Sequence, residues 1–486
     1  MTFPISNGMK IFYKKGSLLI ISIVFGSVAV VIIGALLNWV VVNIKVSRVA
    51  LYREQALQIA EAGIDYYRWH LAHAPQDYKD GTGLSGPYVH DFLDKDGLKI
   101  GTFSLTITPP VVGSTLVNIQ SDGKIVLDPS VVRKIKVKLG IPSLAKYAMV
   151  TNSIVYYGSG DDVSGPIHSN VGVGFLNGSP QPIAHNLVTS AASTTGSHFG
   201  VYTTVPTADP NPPAAVPNRP DVFQSGRQFP VPSIDFSSIT GDLSVIKASA
   251  QAGGFYRAAS GGVGYKVVLK IDDTFDLYKV NSLLPAPSGC TNSQGQTGWG
   301  TWSIGTVSGA TTFLGNFAIP ANGLLFFEDH VWIEGQINIA RLTLATGVFP
   351  VNPATYKNII VNNNLKYTNF DGTEAIGLIA QGKFLVGMAS ASDLTIDGAI
   401  VAQNGGTIRY FYGTSCKNSP NNWYTRAKLT TYGMFASNGQ GYFYYGSGYG
   451  YLLQPASYDA NFLYGPPPSF PLTSDQYQIL SWQEVL

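Results

Sequence analysis

Residues 16–44 contain no charged side chain, and this run constrains what the rest of the chain can be. It reads GSLLIISIVFGSVAVVIIGALLNWVVVNI, opens directly after Lys14 and Lys15, and closes at Lys45. An α-helix needs roughly 20 apolar residues to cross a hydrocarbon core, so the run is long enough. A cleaved secretory signal has an apolar core of about 7–15 residues and a small-x-small exit. This run is longer, and residues 36–46 offer no such exit. A membrane helix remains, and the rest of the chain is its cargo.

The helical pattern continues past the apolar run. In residues 45–73, Val46, Val49, Ala50, Leu57, Ala60, Ile64, Tyr67 and Leu71 recur mostly at steps of three and four. Arg48, Arg53, Glu54, Gln58, Glu61, Asp65 and Arg68 lie mostly off that stripe, and Pro75 ends it. Residues 17–73 predict one helix of about 85 Å, apolar in its first half and amphipathic in its second.

The junction and the motif Gln58-Ile-Ala-Glu-Ala-Gly-Ile64 resemble PilX-type, type IV pilin-like proteins. The resemblance implies a leader, 1–16, made basic by Lys10, Lys14 and Lys15. A prepilin peptidase would cut after Gly16, so that Ser17 becomes the first mature residue. It maps the family's assembly segment onto Leu18–Leu37, including Leu18, Leu19, Ile20, Ile21, Gly26 and Gly34. Many major pilins carry glutamate where Ile21 stands, and Ser17 replaces the commoner Phe or Met. The isoleucine points away from a shaft subunit and toward a minor or tip subunit. A looser likeness extends to Ser164-Gly-Pro-Ile-His-Ser-Asn170 and to the tail 458–468. The implied life history is a prepilin in the cytoplasmic membrane, then a subunit held by other pilin helices in an extracellular filament.

After the helix the chain reads as mainly β. Residues 102–108, 116–120 and 134–139 alternate with period two, which predicts a small antiparallel sheet within 76–143. Asp122-Gly123 reads as a hairpin turn. From 144 to 486, short strands alternate with Gly, Asn and Asp turns. Ile379-Ala-Gln-Gly382, Val401-Ala-Gln-Asn-Gly405 and Phe435-Ala-Ser-Asn-Gly439 repeat, as do Trp332-Ile-Glu-Gly-Gln-Ile337 and Thr395-Ile-Asp-Gly-Ala-Ile400. Such periods predict a solenoid, here a right-handed parallel β-helix, against an ordinary antiparallel sandwich with chance similarity. Residues 200–235 carry eight prolines and read as a loop laid across the solenoid, without central strands. Residues 286–311 read as a second insertion, 438–451 as a Gly/Tyr-rich loop or hairpin, 465–471 as polyproline, and Trp482 as a cap on the solenoid end.

Only 12% of residues are charged and the net charge is +2. That argues against nucleic-acid binding, which depends on a basic patch. The two cysteines, Cys290 and Cys416, suit one disulfide in an oxidising compartment or two buried thiols.

No motif points to a cofactor, a metal or catalysis. Asp161-Asp162, Asp272-Asp273 and Glu328-Asp329-His330 lack a complete hard-cation ligand set and read as turn acids. Asp393 and Asp397, four apart, read as structural. His168 reads as a satisfied turn histidine. The aromatics Trp299, Trp302, Tyr442, Tyr444, Tyr445 and Tyr449 either fill the solenoid ends or bind a surface glycan or protein receptor. The expected function is a structural filament subunit with an adhesive display module. The alternatives are a membrane-anchored β-helix polysaccharide lyase or hydrolase, and a plain surface scaffold.

Overall fold

The computed structural model describes residues 15–110, 114–176, 178–463, 465–473 and 476–485. The chain is mainly β, with one long N-terminal α-helix and a small antiparallel sheet. It divides into two units. One comprises Met1–Thr108, Asn118–Val137 and Ser481–Leu486, and the other Pro109–Val117 and Lys138–Leu480.

Helix α1 (Lys15–His73) runs for 59 residues, about 88 Å. From Leu18 through Val46 its apolar side chains are exposed on every side. The buried stripe starts only at Ala56 and continues through Ile59, Ala60, Ile64, Tyr67 and Leu71. The predicted stripe members Val46, Val49 and Ala50 are therefore not part of it.

Five strands lie beside the buried half in the order Tyr88–Leu93, Lys99–Thr108, Val117–Ile125, Val132–Gly140 and Gln478–Val485. Phe103, Leu105, Val117, Ile119, Ile125, Ile135 and Val137 are among their buried apolar residues. Helix and sheet approach through small residues. A Cβ on Gly123 would lie 2.1 Å from the Ala56 carbonyl oxygen, and one on Gly63 would lie 2.4 Å from Ser121 Oγ. This gives the Ala60-Glu-Ala-Gly63 motif a physical meaning: a Cβ at Gly63 would collide with the sheet.

Two expectations fail in this sheet. Asp122-Gly123 is not a turn but lies inside Val117–Ile125, where Gly123 passes under the helix backbone. Trp482 caps no solenoid. It lies, 47% exposed, in the C-terminal strand Gln478–Val485, the fifth of this sheet.

The second unit is built from parallel ladders. The longest joins Phe255–Arg257, Leu324–Phe327, Arg341–Thr346, Ala375–Ala380, the end of Asp393–Ala402, and the end of Thr425–Ser437. It then continues, still parallel, into Met149–Thr151, Ile167–Ser169, Val188–Ser190 and Arg227–Gln228. A second ladder runs through Gly264–Leu269, Val331–Gln336, Ile359–Ile360, Phe384–Val386 and Thr407–Arg409. A third runs through Gly335–Gln336, Leu365–Lys366, Asp393–Ala402 and Thr425–Ser437. Coil stacked on coil in this way fits a parallel β-helix.

Leu325, Leu344, Leu378 and Ile400 stand in one register column of the interior, each at most 1% exposed. The alternate column, Phe326, Ala345, Ile379, Val401 and Ala436, faces outward. Ile239, Leu243, Ile246 and Ala250 of helix α2 (Ile239–Gly253) pack in the same cluster with Phe462 and Phe470.

The repeats stack, but not as an alignment of their letters suggests. Ile379 pairs with Val401 and Ala380 with Ala402. The third copy slips by one, so that Ala436 pairs with Val401 and Ser437 with Ala402. The two acid-Gly elements do not share a corner. Gly335 pairs with Leu365, which pairs with Ile396, whereas Gly398 pairs with Gly433. Gly398 and Gly433 have φ of 144° and 141°, and a Cβ on Gly433 would sit 2.0 Å from the Gly398 carbonyl oxygen.

The Asn of Phe435-Ala-Ser-Asn-Gly439 and the Asn of Ser164-Gly-Pro-Ile-His-Ser-Asn170 meet in one corner ladder. Asn152 Nδ2 donates to Asn438 Oδ1 at 2.8 Å, and Asn170 Nδ2 donates to Asn152 Oδ1 at 3.0 Å.

The proline-rich segment differs from the expected loop. It supplies the parallel strand Val201–Thr203 and the terminal ladder strand Arg227–Gln228. Between them the chain folds around Asp209, whose side chain is 1% exposed and pairs with Arg227 and Arg219. The Thr203 N–H also donates to Asp209 Oδ2 at 3.0 Å. The polyproline tail is held by Arg341, which donates to the carbonyls of Gly372, Gly465 and Pro466.

Candidate functional site

The chain offers two candidate surfaces, one in each unit. In the first, Leu18, Leu19, Ile20 and Ile21 are 51–75% exposed, and a Cβ at Gly26 or Gly34 would meet nothing within 4 Å. The helix is long and apolar enough to cross a membrane. Gly16 and Ser17 fall in its first turn, while residues 1–14 of the expected leader lie outside the described residues.

In the second unit, residues 283–304 fold over the outward side of the second ladder. Three backbone-directed bonds hold them. Trp332 Nε1 and Asn362 Nδ2 donate to the Trp302 carbonyl at 3.0 and 2.9 Å, and the Met388 N–H donates to Thr301 at 2.7 Å. Cys290 and Cys416 form a disulfide that closes this cap onto residues 410–424.

The cap separates the six aromatics singled out from the sequence. Trp299 donates to the Phe411 carbonyl at 3.1 Å, and Trp302 donates to Gly298 and lies against Trp332. Tyr445 donates to the Arg409 carbonyl at 2.7 Å and accepts from Gln296. Tyr449 packs on Phe411. These four fill the cap. Tyr442 and Tyr444 are 38% and 39% exposed and face solvent.

Sequence reasoning passed over two arginines beneath the cap. Arg409 is 0% exposed, donates to the carbonyls of Met388 and Trp423, and lies over the Tyr412 ring at 4.6 Å. Arg426 shares the Met388 carbonyl at 3.1 Å and also reaches Asn422. Burial holds both below the usual arginine range, Arg426 at about 10, with Arg409 adding to its shift. Their sequence signal is faint: Arg409 is the one charge in the strand Thr407–Arg409, and Arg426 shares its strand only with Lys428.

The acids are turn and corner groups. Asp272 accepts from the Thr274 N–H and hydroxyl, and Asp273 from the N–H groups of Asn338, Ile339 and Ala340. Asp329 accepts from Ser260 and pairs with Lys357. Asp161 accepts from the Gly158 N–H, and Asp162 pairs with His185. Buried His168 bonds Thr189 and Asn170. Asp393 is exposed and pairs with Lys428, whereas Asp397 is 3% exposed. Among the described residues no group of three or more His, Cys, Asp or Glu is placed to hold a metal ion.

No protein-family model matches the sequence, and no curated protein does. Among solved structures, the chain is similar to the competence-associated pilin ComZ from Thermus thermophilus. The likeness covers 89% of this chain and 97% of that one, at 12% identity and a TM-score of 0.29. At that identity and score it carries no argument about function.

Proposed function

We propose that the chain is a PilX-type, type IV pilin-like minor or tip subunit whose β module is displayed for adhesion. The observation that carries this reading is the division of α1. Its first half, Leu18–Ile44, is uncharged and exposed all round, and its second half is buried by small residues on a five-stranded sheet. A helix built only to anchor a soluble domain has no need to be continuous with that domain's core. A helix that must leave the bilayer and pack among other such helices does. Its partners are then the membrane, a prepilin peptidase, other pilin subunits and a surface glycan or protein receptor.

Replacing Gly16 should block removal of the leader and keep the chain out of shed filaments. Mass spectrometry of surface material should find chains that start at Ser17. Chains that start at Met1 in filaments, or unchanged processing of the Gly16 variant, would overturn the reading.

The hydrolase alternative would draw on Asp397, whose carboxyl is pushed up to about 6, with Glu374 and Asp459 also raised. Each of the three is 2–3% exposed, which leaves a polysaccharide no access.

A further inference from the structure

We infer that the β module binds an uncharged linear glycan on a tyrosine platform centred on Tyr156 and Tyr442, with Tyr444 exposed two residues beyond Tyr442. The inference rests on the display role proposed for the module and does not depend on filament assembly. Tyr156, Tyr442 and Tyr444 are the exposed tyrosines among the described residues, at 49%, 38% and 39%. Every other described tyrosine is buried or half-buried. Tyr156 and Tyr442 come from opposite ends of the module's sequence, yet their coils adjoin.

The register follows from the ladders. Ser437 pairs with Thr151, and Thr151 with Ser169. Five residues further along each coil stand Tyr442, Tyr156 and Gly174, and Tyr156 is indeed paired with Gly174. Gly174 pairs in turn with Tyr202, and Tyr442 with Ile408. Ile408–Tyr442 and Tyr156–Gly174–Tyr202 therefore stand on adjoining coils, and Tyr156 is near enough to Tyr442 to add to the rise that burial gives its phenol. The cap over the second ladder ends at Ile408, which is 8% exposed, and leaves the next positions open.

These rings are braced from below. At Gly174 the backbone is bare, and the space is filled by its neighbours. A Cβ there would come within 2.8 Å of the Tyr202 ring and 3.0 Å of the Tyr156 ring. Tyr202 is itself stacked on His198 at 4.2 Å with planes 9° apart. On the other side Tyr442 stacks on Tyr445 at 5.7 Å, and Tyr445 is fixed by Arg409 and Gln296. Rings braced in this way lose little entropy when a ligand settles on them.

The chemistry of the surroundings selects the ligand. Residues 150–158, 170–176, 191–205 and 438–453 supply this surface, and none is Asp, Glu, Lys or Arg. A phosphate, an acidic polysaccharide or a basic peptide would find no opposite charge. Sugar rings present apolar C–H faces to aromatic faces, and their hydroxyls match phenols and amides such as exposed Asn152. Two exposed rings on adjoining coils suit a ligand that is itself a repeat.

The test uses the full chain in detergent micelles, titrated with cello-, xylo-, manno- and chito-oligosaccharides and with alginate as the acidic comparator. We expect at least one neutral series to bind, with affinity unchanged by added salt. Tyr156→Ala and Tyr442→Ala should each weaken it about tenfold, whereas Tyr156→Phe keeps most of it. The variants change exposed side chains, and their thermal transitions should match that of the parent. Absence of neutral binding by folded protein, full affinity in the Tyr156→Ala/Tyr442→Ala double variant, or salt-sensitive binding of alginate alone would each overturn the inference. The Gly16 variant should bind glycan as the parent does, so failure of assembly and failure of binding are read separately.

Discussion

Replacing Asp397 by Asn should stabilise the β module at alkaline pH and leave it unchanged at acid pH. Asp397 is 3% exposed, and its Oδ2 accepts the Tyr367 N–H at 3.0 Å. Burial raises its pKa to about 6, with Glu374 and Asp459 pushing the same way and Lys366 opposing. An unfolded aspartate titrates near 3.9, so the shift is roughly two units, or about 3 kcal/mol at 1.36 kcal/mol per unit. Because the folded pKa is the higher one, the folded state binds the proton more tightly. The stability from this group is fully present below about pH 4 and is lost as pH rises through about 6. Asn keeps the acceptor for the Tyr367 N–H without the charge and so mimics the protonated acid. Urea melts of the full chain at pH 4, 6 and 8 should show a gain for Asp397→Asn that grows from near zero to at most about 3 kcal/mol. Glu374→Gln should move the wild-type transition to lower pH, because it removes one of the repelling carboxylates. A gain independent of pH, or an Asn variant less stable at pH 8, would refute the assignment of burial as the dominant cause.

Three further outcomes arise from packing. Gly123→Ala places a Cβ against the backbone at Ala56 and Ala60, and should cost about 1–3 kcal/mol or more; hydrogen exchange at residues 56–67 reads this locally. Asp209→Ala leaves buried Arg227 without its carboxylate and should destabilise the module by about 3–5 kcal/mol, measured by thermal unfolding. Cys290→Ser opens a link between positions 126 apart and should cost about 2–5 kcal/mol, and it should make the cap over Trp332 and Met388 the first segment to be cut by limited proteolysis.

The parts legible in the sequence are those where one local property decides. The missing charge over residues 16–44 and Pro75 bound α1 to within a few residues of Lys15–His73. The start of its buried stripe was not legible. Val46, Val49 and Ala50 are as apolar as Ala56 and Ile59, and apolarity does not say whether a side chain meets lipid, a partner helix or a sheet. Helix α2 had a readable signal in Ile239, Leu243, Ile246 and Ala250, spaced four, three and four, in a stretch that carries no predicted element of its own. The tyrosine platform was half legible. Tyr442 and Tyr444 announce themselves in a glycine background, but nothing near Tyr156 says that its coil adjoins that of Tyr442. That depends on which coil lies on which, and coil order is a property of the whole ladder.

The coil order has a reason of its own. The β module is an insertion: residue 137 before it and residue 481 after it belong to the same small unit. The strands Val132–Gly140 and Gln478–Val485, which lead into and out of it, are neighbours in one sheet. A solenoid wound from one end to the other would leave its two chain ends some ten coils apart, about 40 Å at the strand spacing. This chain instead enters in the middle. Its first coil strand, Met149–Thr151, is laid against what becomes the last, the end of Thr425–Ser437. The chain winds outward to Arg227–Gln228, crosses by way of α2 to the far end at Phe255–Arg257, and winds back. Entry and exit then lie side by side: the Leu144 N–H donates to the Pro471 carbonyl at 2.9 Å, and the Thr473 N–H to Pro142 at 2.8 Å. The junction between first and last coils is where the Asn152–Asn438 bond forms and where Tyr156 comes near Tyr442. The mid-ladder entry that brings the module's two ends together therefore also brings Tyr156 to Tyr442.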